Sequence, residues 1–381
     1  MSQQDAVRDV VVIGAGLAGL TAAYELKRHG IDALILERES DVGASWSRRH
    51  PQLTLNTHRS LSALPGLKYP AGTGAFPRRG AVIAHLQGFR DTHGFEIRHG
   101  VEALSASRTD ATFLIETNAG AIWARNLIVA TGRDAVSTLP EWKGLETFGG
   151  RILHAADFGD ARAYAGKSVL VIGGGNSGFD ILNHLSRVET GQIWLSLRRS
   201  PGLMPKRLGG FAVHRLSPIM AMLPVRLVDL LVSWTQRLAF GDLSRYGFPK
   251  SPADAATRLT RNKIAIAVDD GAIAAVKQAR ISVVPAVAEF FPSAVLLSDG
   301  RSLQPDVVIA AVGYSSGLAP LLGPLGALDE NGQARMRGEL GATAVPNLWL
   351  VGMKPSLTSY FLQARREAKA VAASVASARS A

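Results

Sequence analysis

The chain has 381 residues, enough for two or three modules, each with its own core. It carries 42 Lys and Arg against 31 Asp and Glu, a net charge of +11. The basic residues form no single block, which favours anionic small molecules over nucleic acid as partners. The sequence holds no cysteine, which excludes disulfides, thiolate metal sites and any dithiol redox relay.

The N-terminal stretch MSQQDAVRDVVVIG has no apolar signal core preceded by positive charge, so a cytoplasmic location is expected. Val10 to Ile13 reads as a short strand, followed by GAGLAG, a helical pattern through His29 that Gly30 ends, and a second strand in DALILERE. Gly14 permits the tight turn, Gly16 lets the backbone approach a pyrophosphate, and Gly19 allows close packing of helix on strand. The helix N-terminus then offers unpaired N–H groups to phosphate oxygens. Glu37, 18 residues after Gly19, stands where a carboxylate accepts hydrogen bonds from ribose hydroxyls. Next, TFLIETNAGAIWARNLIVATGR gives two strand-like runs around Asn118-Ala119-Gly120 and a buried strand ending at Thr131-Gly132.

After the connector TFGGRILHAADFGD the programme repeats. Ser168 to Ile172 is a strand, GGGNSG a turn with Gly173, Gly175 and Gly178, and Asn176 and Ser177 open a helical pattern that runs through Arg187 to QIWLSLRR. Here the second strand ends on Arg198, 20 residues after Gly178, and Arg199, with no acid. Guanidinium groups pair with a 2′-phosphate that a carboxylate would repel, so this module is expected to hold NADPH. Hydride from a nicotinamide needs an acceptor that side chains do not provide, which assigns FAD to the first module.

The segment from Arg199 to about Ala265 is too long for an ordinary connection and is expected to form a helical cap. Its apolar stretch Pro218 to Phe240 is interrupted by Pro224, Arg226, Asp229 and Arg237, so no integral membrane segment is expected; amphipathic helices covering a pocket are the main reading, and surface contact with a membrane the alternative. Met204, Met220, Met222, Leu223, Leu230 and Trp234 suit either an apolar or aromatic substrate or packing of the cap onto the core. SAVLLSDGRSLQPDVVIAAVGY then repeats the double run and buried strand, ending at Gly313-Tyr314, and NLWLVGM with QARREAKAVAASVASA supplies a final strand and helix that return to the first module. The expected fold is α/β, with two Rossmann-like three-layer domains and the NADPH domain inserted into the FAD domain. Residues 1–150 form the first part of the FAD domain, 151–304 the NADPH domain with its cap at about 200–265, and 305–381 the return segment.

Within the connector, Phe148, Gly150, His154 and Phe158 fall at the offsets FxGxxxHxxxF. That set, lying between two dinucleotide turns, resembles the signature of flavin-containing monooxygenases, the class B flavoprotein monooxygenases, over nearly the whole chain. The related Baeyer–Villiger signature ends in tryptophan, so Phe158 tilts away from that subgroup. From LMPKR through GAIAAVKQARISVVPAV the second half looks most like the plant YUCCA-type indole-3-pyruvate monooxygenases, whereas Asn56 departs from their pattern. The resemblance implies FAD held by the Gly14 turn with Glu37, Arg38, Trp46, Val101, Thr131, Gly132 and Gly352, NADPH at the Gly173 turn with Arg198, Arg199 and Gly313, and Asn56 beside the flavin. It implies a small-molecule substrate and O2 as partners, with a homodimer as the assembly. It also implies a flavin peroxide adduct that oxygenates a soft nitrogen or sulfur, or a keto acid or ketone such as an indole-3-pyruvate-like compound. Phe148 and Phe158 are expected to pack the junction, Gly150 to allow a backbone turn, and His154 to tie the crossing. A flavin reductase passing electrons to a quinone or protein partner is the alternative, and a cofactor-binding sensor without turnover a third reading.

Overall fold

The computed structural model of the protein describes residues 7–250, 252–338 and 340–380. The first module lays β1 (Arg8–Ile13), α1 (Leu17–Lys27), β2 (Leu34–Glu37), α2 (Arg79–His93) and β3 (Glu96–His99) into a parallel arrangement, followed by β4 (Ala103–Thr109), β5 (Thr112–Thr117) and β6 (Gly120–Val129). The strand order is β3-β2-β1-β6-β5-β4. β6 changes partner along its length. Its first half pairs antiparallel with β5, from Thr117 opposite Gly120 to Phe113 opposite Ala124, and its second half runs parallel to β1, from Arg8 opposite Ala124 to Ile13 opposite Val129. In the hairpin half burial alternates, with Ile122 and Ala124 inside and Ala121 and Trp123 less covered, and this gives way to the continuously buried run 126–129 of a strand covered on both faces.

The chain then crosses through β7 (Val136–Ser137) to the second sheet, built from β8 (Arg151–His154), β9 (Val169–Ile172), α3 (Asn176–Leu185), β10 (Ile193–Ser196), the cap helices α4 (Val225–Phe240) and α5 (Ala255–Asn262), and β11 (Ile281–Val284). An antiparallel hairpin follows, β12 (Val287–Phe291), β13 (Ala294–Leu297) and β14 (Ser302–Leu303), and then β15 (Val307–Ala310). The order is β11-β10-β9-β15-β8, and every neighbouring pair is parallel. All four residues of β9, Val-Leu-Val-Ile, are buried, as a central parallel strand requires, and each fully buried side chain contributes roughly 1.5–3 kcal/mol. The boundary expected between 304 and 305 therefore falls one strand early. β15 completes the second sheet, and only then does the chain cross back through β16 (Tyr314–Ser315), which pairs antiparallel with β7.

β17 (Leu348–Leu350) joins β6 in the first sheet, and α6 (Tyr360–Ser380) packs along α1, sharing a core with Leu20, Leu26, Ala364, Val371 and Val375. The cap is less helical than its sequence suggests. It opens with short strands at Leu203–Pro205, Arg207–Leu208 and Phe211–Ala212, and the first of these pairs with Ala267–Asp269. Two Rossmann-like α/β units joined by two adjacent crossings match the expected fold class.

Candidate active site

The two glycine turns are built alike. Gly14 and Gly173 have φ of 102° and 114°, a region that disfavours residues with a Cβ. The Gly14 amide donates to Leu36 at the end of β2 (2.8 Å), and the Gly173 amide donates to Ser196 at the end of β10 (3.1 Å). A Cβ on Gly19 would stand 1.8 Å from the Gly14 carbonyl oxygen, and one on Gly178 would stand 2.0 Å from that of Gly173. Here the third glycine is a packing requirement. The middle glycines differ in kind: a Cβ on Gly16 or Gly175 meets nothing within 4 Å. Both precede a helix whose N-terminus has no side-chain cap, so the free N–H groups face open space. That is the cradle a pyrophosphate needs, and the residues present fit the two dinucleotides.

Beyond the turns the modules diverge. The Glu37 carboxylate accepts from the Ala15 amide at 2.7 Å and from the Glu39 amide at 3.0 Å, and the Val101 amide donates to the Glu37 carbonyl at 3.0 Å. Arg38 pairs with Glu39 and Glu102. Arg198 and Arg199 are exposed, and Arg198 lines a separate cleft of about 450 Å³ together with Arg301. Neither arginine lines the central cavity.

That cavity, of about 790 Å³, lies between the modules. Gly16, Arg38, Trp46, Asn56, Thr131, Gly132 and Gly352 reach it from the first module, and Asn176 and Ser177 from the second. Asn56 and Asn176 meet there, with the Asn56 amide donating to the Asn176 side chain at 3.5 Å. Gly352 sits close under α1, where a Cβ would come 2.7 Å from that of Ala18, and its amide donates to the buried Glu367 carboxylate at 2.7 Å. Burial pushes the Glu367 carboxyl up.

A flavin-binding monooxygenase-like model matches residues 115–331, and a pyridine nucleotide-disulphide oxidoreductase model matches residues 11–201. A probable indole-3-pyruvate monooxygenase, YUCCA7 of Arabidopsis thaliana, is 34% identical over 327 residues, covering 81% of this chain and 75% of that protein. An indole-3-pyruvate monooxygenase, YUCCA1 of Oryza sativa subsp. japonica, is 28% identical and covers 90% of this chain and 84% of its own length. The chain belongs to the flavin-binding monooxygenase-like family. It is an FAD- and NADPH-dependent monooxygenase. The solved structure of a flavin-containing monooxygenase from Stenotrophomonas maltophilia superposes with a TM-score of 0.75 at 27% identity, covering 98% of this chain and 99% of that one. Cyclohexanone monooxygenase, at 17% identity and TM-score 0.70, shares the fold. With no cysteine, this monooxygenase has no dithiol step of the disulfide-reducing kind.

In this flavin monooxygenase the connector signature serves the junction. His154 Nδ1 accepts from the Ala156 amide at 3.1 Å, so Nε2 carries the proton and donates to the Gly313 carbonyl at 3.0 Å. Burial lowers the His154 pKa, which keeps the ring in that neutral form. β8 is thereby tied to the returning crossing, and Tyr314 packs edge-on to the ring. Phe158 stacks on Tyr164, and Phe148 packs against Phe290, as does Trp142. Gly150 does not serve as the expected turn: its φ is not positive, and its lack of a Cβ makes room for the Phe148 ring (2.5 Å) and the Asp306 carbonyl (3.1 Å).

Three groups on the cavity wall carry little sequence signal. Asp180, on α3, accepts from His50 Nε2 at 2.6 Å and lies 3.6 Å from His184 Nε2. Burial raises the Asp180 carboxyl, but the bonds from His184 and His50 outweigh it and hold it down to about 2. Lys206 Nζ donates to Thr54 Oγ1 at 2.7 Å, and Arg49 donates to the Tyr314 hydroxyl at 2.9 Å. Only Asp180 and His184, four apart on one helix, were pairable by spacing. His50, Lys206 and Arg49 meet partners more than 100 residues away.

Proposed function

We propose that this monooxygenase acts on an aromatic α-keto acid, the substrate class named for its plant relatives, releasing the shortened carboxylic acid with CO2 and water. One oxygen atom of O2 enters the acid, the other leaves as water, and the two electrons come from NADPH. The observation that carries this reading is Lys206, a buried ammonium on the cavity wall. Burial lowers its pKa, while Asp270 at 3.3 Å opposes that and favours the charged form. A cation in a desolvated wall attracts a carboxylate more strongly than one in water does. Met204, Met220, Val213 and Val232 line the same cavity and suit an aromatic ring.

In this reading Gly14, Gly16, Gly19, Glu37, Arg38, Trp46, Val101, Thr131, Gly132 and Gly352 hold FAD, which when bound supplies the redox and oxygen chemistry. Gly173, Gly175, Asn176, Ser177, Gly178, Arg198, Arg199 and Gly313 hold NADPH. Asn56 offers its amide to the cavity where the modules meet. The apolar wall excludes water from the reacting centre. A cytoplasmic location and a homodimeric assembly belong to the same proposal. Steady-state assays with indole-3-pyruvate, an aryl methyl sulfide, a tertiary amine and a cyclic ketone test it. The keto acid is expected to give coupled turnover, and Lys206→Met to raise its KM by about 10-fold or more while leaving neutral substrates unchanged. Turnover of the sulfide or amine with none of the keto acid would refute the substrate class.

A further inference from the structure

The cap helix α4 has two apolar faces. Val228 and Val232 are buried inward, Val232 on the cavity wall, and the Asp229 carboxylate is bound by the Ala256 and Thr257 amides and the Thr257 hydroxyl. On the opposite face Leu227, Leu230, Leu231, Trp234 and Leu238 follow the i, i+3, i+4, i+7, i+11 spacing of a single helical stripe, roughly 100° wide. All five are exposed, with Leu230 at 62%, Trp234 at 71% and Leu238 at 68%, and the preceding turn adds Met222 at 85%. The expectation that the cap's apolar residues face substrate or core holds for Met204, Met220 and Leu223, which pack against Val228 and Val232, and fails for Met222, Leu230 and Trp234.

The charges along this stripe are mainly basic, although exposed Asp242, just past the end of α4, lies near Arg237 and pairs with Arg245. Between Phe211 and Gly241 the exposed charged residues are Arg215, Arg226 and Arg237, and Asp229, the single carboxylate there, is buried. Arg226 and Arg237 fall on the same edge of the stripe in the helical repeat. A second copy meeting this face through a two-fold axis would bring arginine toward arginine, whereas a bilayer rich in anionic headgroups satisfies both the apolar stripe and its basic rim. Tryptophan at the centre suits the interfacial depth. We infer that α4 is a peripheral membrane-docking helix that seats the cap on an anionic lipid surface. The docked helix is the one whose inner face lines the cavity, so the cavity wall lies one helix thickness from the bilayer.

Co-sedimentation of the FAD-loaded full chain with vesicles tests this, using phosphatidylcholine alone and a phosphatidylcholine–phosphatidylserine mixture. Binding to the mixed vesicles is expected, weakened about 10-fold or more by Trp234→Glu and by raised salt, while Arg226→Gln with Arg237→Gln removes the preference for the anionic mixture. NADPH oxidation without vesicles is expected to stay at the parent rate in all variants, which shows that they fold. Equal pelleting of parent and Trp234→Glu, or no pelleting of the parent, would overturn the inference. So would light scattering that shows a stable dimer abolished by Trp234→Glu.

Discussion

The two nucleotide modules use one backbone solution and opposite side-chain chemistry. In each, the turn glycine donates to the end of the second strand, and Ala130 and Ala311 close the same corner by donating to Ile13 (2.9 Å) and Ile172 (2.8 Å). Yet the first module turns a carboxylate, Glu37, onto its own loop amide, and the second places two exposed arginines, Arg198 and Arg199, in the bend just past its strand. Geometry common to both follows from the need to bring a helix N-terminus against a strand end. We propose that the charge that differs selects the ligand.

The largest expected effect breaks the shared part. Gly19→Ala and Gly178→Ala place a methyl on a carbonyl oxygen, at 1.8 Å and 2.0 Å before relaxation, and each is expected to cost about 3 kcal/mol or more in urea unfolding. Gly16→Ala and Gly175→Ala have open space, so their stability loss should stay within about 1 kcal/mol, while affinity for the dinucleotide at that turn falls roughly 100-fold by titration. Equal stability losses at all four positions would contradict this division of roles.

The next effects probe the difference. Arg198→Ala is expected to raise the KM for NADPH about 30-fold and leave that for NADH near its starting value; parallel changes for both would remove the 2′-phosphate assignment. Glu37→Gln keeps an acceptor for the Ala15 amide but loses the charge, and FAD affinity should fall about 10-fold with NADPH affinity unaffected.

The smallest effect lies at the junction. His154→Ala removes the bond to Gly313, worth about 1 kcal/mol in thermal unfolding. Its folded pKa is lowered, so the unfolded chain takes up the proton first. The His154 contribution is thus complete above about pH 6.5 and declines as pH falls below that value. In His154→Ala the acid-side loss between about pH 6.5 and the folded pKa should be shallower than in the parent.

Much of the fold was legible because a glycine turn between strand and helix has few alternatives. Gly14, Gly19, Gly173 and Gly178 each meet the backbone constraint their spacing implied. The boundary near 304 was misplaced because β15, with four fully buried residues, looks the same whichever sheet receives it, and only pairing with β8 and β9 decides. The cavity wall was the least legible part. Lys206 reaches Thr54 across 152 positions and His50 reaches Asp180 across 130, and no local pattern encodes such meetings. Trp234 and Leu230 were unreadable for a different reason: an amphipathic period shows that a helix has an apolar stripe, not that a second stripe on its far side is left bare.

Turnover of indole-3-pyruvate with NADPH under 18O2 tests the central claim most directly, with the product acid analysed by mass spectrometry and NADPH consumption followed in parallel. One 18O atom per molecule of acid, at close to one acid per NADPH oxidised, is the expected result. Unlabelled product, with all of the NADPH electrons recovered as hydrogen peroxide or delivered to a quinone, would contradict it.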